Sequence, residues 1–313
     1  MQRYAGNPIL TVKDVPKKCL SVSNSAVTRY KGEYIMLADA AISVSYSEFF
    51  VAHSKNGYDF KLEKKPIFVS KKPLRFYDPR MTRIGNTYYI LFGVDHPEGE
   101  VTVGMAKTTD FKKVEYCGEI SPPDVRNAVL FPEKIGGLYV RLDRPFPLYY
   151  HWGWPAGTHP NVKKGKTWPD TLNIWISFSP DLVYWGRAQV LLDVKRVPWA
   201  NHKLGPGAPP IKTRHGWLEI FHGAELTRDN KKIYRLGCML LDLKNPTRIL
   251  GLAKKPILEP VEPYECHGLV PSVVFACGVV PEKNGELKIY YGGADKCVCM
   301  ATATIDELVN LCR

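Results

Sequence analysis

Two stretches decide how this chain folds: Asn24-Ser-Ala-Val-Thr-Arg-Tyr-Lys-Gly-Glu-Tyr-Ile-Met-Leu37 and Asp78-Pro-Arg-Met-Thr-Arg-Ile-Gly-Asn-Thr-Tyr-Tyr-Ile-Leu91. Each opens on a polar residue, runs through a short strand-like segment, turns at a glycine and returns through an aromatic strand. The pattern recurs at Asn127-Ala-Val-Leu-Phe-Pro-Glu-Lys-Ile-Gly-Gly-Leu-Tyr-Val140 and at Gly207-Ala-Pro-Pro-Ile-Lys-Thr-Arg-His-Gly-Trp-Leu-Glu-Ile220. A fifth copy starts at Pro271-Ser-Val-Val-Phe275 and passes Asn284-Gly285 to Leu287-Lys-Ile-Tyr-Tyr291. Gly32, Gly85, Gly137, Gly216 and Gly285 supply the positive φ of a tight turn, so each copy reads as a β-hairpin.

A second turn follows each copy: Ser54–Gly57, Thr109–Phe111, Ser179–Leu182, Leu243–Pro246 and Thr304–Glu307. Two hairpins per unit make four strands, and repeats of roughly 40–50 residues are the mark of a propeller. The expected fold is all-β: one five-bladed propeller domain over residues 1–313, with a long loop inserted near Phe146–Asp170. A β-sandwich, or a split near residue 160, fits the recurrence less well. Helical patterning is confined to a weak stretch at Ile305–Leu311.

Composition narrows the function. The chain has 313 residues, 45% hydrophobic and 24% charged, which suits a packed globular protein. Met1–Val12 has no secretory pattern, and no apolar run approaches the ~20 residues of a membrane helix, so a cytoplasmic location is expected. The eight cysteines form no CxxC pair, and Cys297-Val-Cys299 reads as strand; free thiols are expected rather than a metal site. A net charge of +12 calls for an anionic partner. The basic residues are scattered, which favours a local anion site over a nucleic-acid groove.

In a propeller the leading polar residue of each inner strand faces a common channel. Those leaders are Asn24, Asp78 and Asn127 (with Arg126 beside it), and Asp295 closes the last inner hairpin. Carboxylates, amides and cations around one axis suit glycosidic chemistry. Asp78, before a proline, reads on its own as a turn residue. In a confined channel walled by Phe76 and Tyr77 it would instead serve as a general acid. Arg126, Lys203 and His222, brought together from different units, would cradle an anion. No glycine-rich loop points to a nucleotide.

These residues resemble glycoside hydrolase family 130, the β-mannoside phosphorylases and mannosidases. The likeness spans nearly the whole chain. It runs through Gly6–Leu10, Asn24-Ser-Ala26, Tyr77-Asp-Pro-Arg80, Asn127–Lys134, Ile174–Ser177, Lys203-Leu-Gly-Pro-Gly207, His222-Gly223, Tyr264-Glu265 and Tyr290-Tyr-Gly-Gly-Ala-Asp295. The resemblance implies a five-bladed propeller and Asp78 as the acid, acting through the mannose 3-hydroxyl. It implies Arg126, Lys203 and His222 as phosphate ligands with Asn127 and Asp295 in the sugar-binding shell, and Asn24, Tyr77, Glu265 and Asp39 are expected to bind substrate beside them. It needs no cofactor: inorganic phosphate is the co-substrate, and phosphate attack would give α-mannose 1-phosphate with inversion.

The chain departs from the family pattern at several positions. Asp39, in Ala38-Asp-Ala40, stands where the family has Arg, a change of two charge units that would alter sugar preference or weaken phosphate binding. Val125, His267 and Ser272 also differ. Three classes remain: a phosphorylase cleaving β-1,2- or β-1,4-linked mannosides, favoured; an inverting hydrolase with Glu265 or Asp295 as base; and a glycan-binding propeller without catalysis. Expected partners are the oligosaccharide and phosphate, with no nucleic acid or membrane, and a homo-oligomer stays open.

Overall fold

A computed structural model describes residues 1–70, 73–145 and 172–313. Five antiparallel sheets form five blades. The first blade runs Ser21–Tyr30, Glu33–Ser43 and Tyr46–Ser54, with Lys61–Leu62 and Phe68–Val69 sharing its outer edge. The second is Arg75–Ile84, Thr87–Asp95, Val101–Thr108 and Glu115–Glu119. The third is Val125–Leu130, Tyr139–Pro145, Ile174–Ser179 and Gly186–Leu192. In the fourth, Lys203–Pro206 and Ile211–Thr213 share the inner edge of Gly216–Leu226, followed by Lys232–Leu241 and Ile249–Leu252. The fifth is Val274–Pro281, Glu286–Gly293 and Cys297–Thr304.

The turn glycines behave as their positions require: Gly32, Gly85, Gly137, Gly216 and Gly285 all have positive φ. Four of the five second turns join third to fourth strands as expected. The fifth does not. Thr304 caps a helix over Ile305–Cys312, accepting from the Glu307 N–H while Glu307 reaches back to the Thr304 backbone. The fourth strand of that blade comes from the other end of the chain, because Gln2 and Arg3 pair with Thr302 and Ala301. The propeller is therefore closed by its N-terminus. The loop expected near Phe146–Asp170 lies outside the described residues.

Blades pack through their aromatic strands. Between the first and second, Phe76 stacks on Phe68 at 5.4 Å and Phe49 meets Phe92 edge-on at 5.9 Å, while Phe76 meets Phe92 at 4.9 Å within the second blade. Phe76 is buried, directly before Tyr77 and Asp78. The core thus fixes the strand that carries the site. Cys277, Cys297 and Cys299 are buried in strands, and all eight cysteines are free.

The inner strands share one irregularity. Their ladders slip between Ser23 and Ala26, Tyr77 and Arg80, and Arg126 and Val129. Inside those bulges Asn24, Asp78 and Asn127 adopt φ of +45°, +53° and +56°. A bulge turns a side chain away from its sheet face, and Asn and Asp enter the left-handed region more readily than most residues. The same side of the molecule receives Asp295, at φ +50° in the turn between Glu286–Gly293 and Cys297–Thr304 of the fifth blade.

Candidate active site

The four left-handed residues line one cavity of about 360 Å³, shared with Asp39, Tyr77, Arg126, Arg144, Lys203 and Tyr234. That volume holds a small sugar. One wall is acidic. The Asn24 amide donates to Asp78 Oδ1 at 2.9 Å and to Asp295 Oδ1 at 3.3 Å, so one side chain from the first blade ties the second blade to the fifth. Gly292 permits this, because a Cβ there would lie 2.0 Å from Asn24 Oδ1. Asp39 Oδ2 accepts the Asp78 backbone N–H at 2.8 Å, and Arg80 donates to the Asp78 carbonyl at 2.8 Å. Asp78 is gripped on both sides.

Two of these carboxyls do not ionise freely. Burial, and after it the neighbouring Asp78, pushes Asp39 up to about 8. Burial followed by Asp78 raises Asp295 to about 6. The acidic wall therefore retains a proton near neutrality. Asp39 is neutral below about pH 8, so exchanging an Arg for it removes one unit of charge there, not the two that counting ionised groups gives.

The other wall is basic. Arg126 and Arg144 stand directly opposite one another on adjacent strands of the third blade, a like-charge pair that an antiparallel ladder does not favour. Lys203, from the fourth blade, faces them: burial first, then Arg144, Lys232 and Arg126, pulls its ammonium down to about 6. Burial and the nearby Arg126 and Arg80 lower Arg144 to about 10. Cations that depress one another in a shared cavity form a site for an anion. Tyr234 places its ring 5.0 Å from the Lys203 ammonium.

Two expected site residues sit elsewhere. His222 is fully buried behind this wall, its Nε2 3.2 Å from Arg144 Nη1. A guanidinium only donates, so Nε2 is the accepting nitrogen. Burial, then Arg144, holds His222 well below its usual range, so it supports Arg144 as a neutral ring instead of presenting a charge. Glu265 does not line the cavity. Its carboxylate accepts from Arg3 at 2.8 and 2.9 Å, from the Tyr291 hydroxyl at 2.8 Å and from the Val261 and Glu262 N–H groups. It fastens the closing strand and has no oxygen to spare for a sugar or a water.

Arg144 and Tyr234 are the residues that reading the sequence misses. Neither leads an inner strand. The available signal is the alternation of Arg141-Leu-Asp-Arg144, where polar groups interrupt a buried strand.

A sequence profile described as beta-1,4-mannooligosaccharide phosphorylase, that of glycoside hydrolase family 130, matches residues 1–313. The chain belongs to glycoside hydrolase family 130. Among curated members, it is 37% identical over 271 residues to the beta-1,2-mannobiose phosphorylase of Listeria innocua, covering 86% of this chain and 69% of that protein. It is 31% identical over 321 residues to the beta-1,4-mannooligosaccharide phosphorylase of Ruminococcus albus, covering 98% of this chain and 89% of the relative. The solved Listeria innocua beta-1,2-mannobiose phosphorylase, in complex with beta-1,2-mannobiose, superposes with a TM-score of 0.83 at 29% identity, covering 99% of this chain and 98% of that one. As a family 130 protein the chain is a β-propeller of the mannoside phosphorylase type, and the site faces the channel where the blades meet.

Proposed function

We propose that residues 1–313 act as one catalytic unit that cleaves a β-1,2- or β-1,4-linked mannoside with inorganic phosphate, releasing α-mannose 1-phosphate with inversion. The observation that carries this reading is the basic wall. Arg126, Arg144 and Lys203 converge on the cavity that Asp78 lines, and an anion between them relieves their mutual repulsion. Phosphate seated there is a nucleophile. Guanidinium forks hold two of its oxygens and Lys203 supplies a point charge. The Asp78 side delivers the proton to the departing sugar, directly or through a sugar hydroxyl. Asn24, Asn127 and Asp295 offer hydrogen-bonding groups to the mannose.

The hydrolase reading needs a second carboxylate roughly 6.5–9.5 Å from the acid, with a water between. Asp78 and Asp295 both accept from the Asn24 amide, at 2.9 and 3.3 Å, and Glu265 is bound to Arg3. The basic wall, which a water nucleophile does not need, favours phosphate.

A cytoplasmic location accords with eight free thiols and with a charged product that the cell retains. Among the described residues no helix is long and apolar enough to cross a membrane. The test is incubation of β-1,2-mannobiose and β-1,4-mannobiose with and without phosphate, followed by assay of mannose 1-phosphate. Phosphate-dependent product from either supports the reading, and free mannose formed without phosphate refutes it.

A further inference from the structure

We propose that Asp39 is a positioning residue: its carboxyl, on the second strand of the first blade, holds the Asp78 backbone in the left-handed turn that aims Asp78 into the cavity. The inference rests on the phosphorolytic reading above and adds a residue to it. The Asp78 N–H falls inside the bulge between Tyr77 and Arg80, where the ladder to the next strand is interrupted. Asp39 Oδ2 takes that N–H at 2.8 Å, and Arg80 takes the carbonyl of the same residue. A non-glycine residue at φ +53° persists only where its surroundings over-determine it, and these two side chains do so. Asp39 is flanked by the fully buried Ala38 and Ala40, which offer no polar substitute.

Among the described residues, the other Asp39 oxygen, Oδ1, is buried without a partner on the cavity wall. The charged groups facing this carboxyl are Asp78, Asp295 and Arg75, two acids against one cation. The protonated form is the one that fits. One oxygen accepts the Asp78 N–H while the other carries a hydrogen. Asparagine reproduces both features and cannot ionise, whereas alanine reproduces neither. Ionisation, expected as pH rises through about 8, places a negative charge beside the Asp78 turn.

The test compares wild type, Asp39→Asn and Asp39→Ala in phosphorolysis of the mannobiose that wild type cleaves, with kcat and KM measured from about pH 6 to 9 at saturating phosphate. Asp39→Ala should lower kcat by about 10²-fold with little change in KM for phosphate, as misplacement of a reacting group does. Asp39→Asn, which keeps an oxygen to accept the Asp78 N–H, should hold kcat within about threefold of wild type at neutral pH. Wild-type kcat in Asp39→Ala, or a loss in Asp39→Asn as large as that in Asp39→Ala, overturns the role of Asp39 while leaving phosphorolysis standing. Should the alanine variant not fold, Asp39→Val, similar in volume and without an acceptor for the Asp78 N–H, takes its place with the same loss expected. A wild type without phosphate-dependent turnover removes the phosphorolytic reading and this inference with it.

Discussion

At the scale of single residues, the acid and the anion site make separable demands. Asp78→Asn keeps the acceptor that Asn24 uses but removes the proton donor. It should lower kcat by about 10²–10⁴, and by less for an activated aryl mannoside whose leaving group needs no proton. Lys203 is the probe of the other wall. Burial, then Arg144, pulls its ammonium down to about 6, so phosphate binding draws a proton back to it. Affinity for phosphate should then fall as pH rises above about 6, and Lys203→Ala should raise KM for phosphate while flattening that dependence. Initial rates across phosphate concentration at several pH values check both. An alanine variant with wild-type phosphate dependence would remove Lys203 from the anion site.

At the scale of strands and turns, much was readable beforehand. Hairpins announce themselves through glycines because only glycine enters those turns freely, and the leaders Asn24, Asp78 and Asn127 stand out as polar residues heading apolar strands. What resisted reading depends on pairing across strands. Arg144 joins the site because its register sets it against Arg126, and Glu265 leaves it because Arg3 arrives from the far end of the chain. Thr304–Glu307 carries the polar residues of a turn, yet Thr and Glu three apart also make a capping box, and the helix won. The bulges are invisible in the repeat pattern, although the left-handed tolerance of Asn and Asp hints at them. Gly292 belongs to this scale too. Gly292→Ala pushes a methyl into Asn24 Oδ1, 2.0 Å away, and should lower kcat by about 10²-fold by displacing the amide that orients Asp78. Circular dichroism unchanged from wild type, together with that loss, is the expected pair of results.

For the whole molecule, ring closure ties the site to the chain's first residues. The fifth blade holds Asp295, and its edge is completed by Gln2–Arg3 and pinned by the Arg3–Glu265 pair. Arg3→Ala strips the carboxylate of its charged partner and should cost about 1.5–3 kcal/mol, read as a lower thermal midpoint with kcat intact at low temperature. Burial alone would raise the Glu265 carboxyl, but the bonds from Arg3 and two backbone N–H groups outweigh it and hold it below its ordinary value. The sign follows: this stabilisation is complete above the unfolded-chain value and fades as pH falls through the depressed folded one. Thermal midpoints of wild type and Arg3→Ala should therefore converge in acid. The central claim, that a β-mannoside is broken by phosphate and not by water, is tested most directly by the anomeric product. Proton NMR of β-1,2-mannobiose or β-1,4-mannobiose incubated with the enzyme and phosphate should show α-mannose 1-phosphate growing with time, and no cleavage when phosphate is withheld. Mannose release at the same rate without phosphate would contradict it.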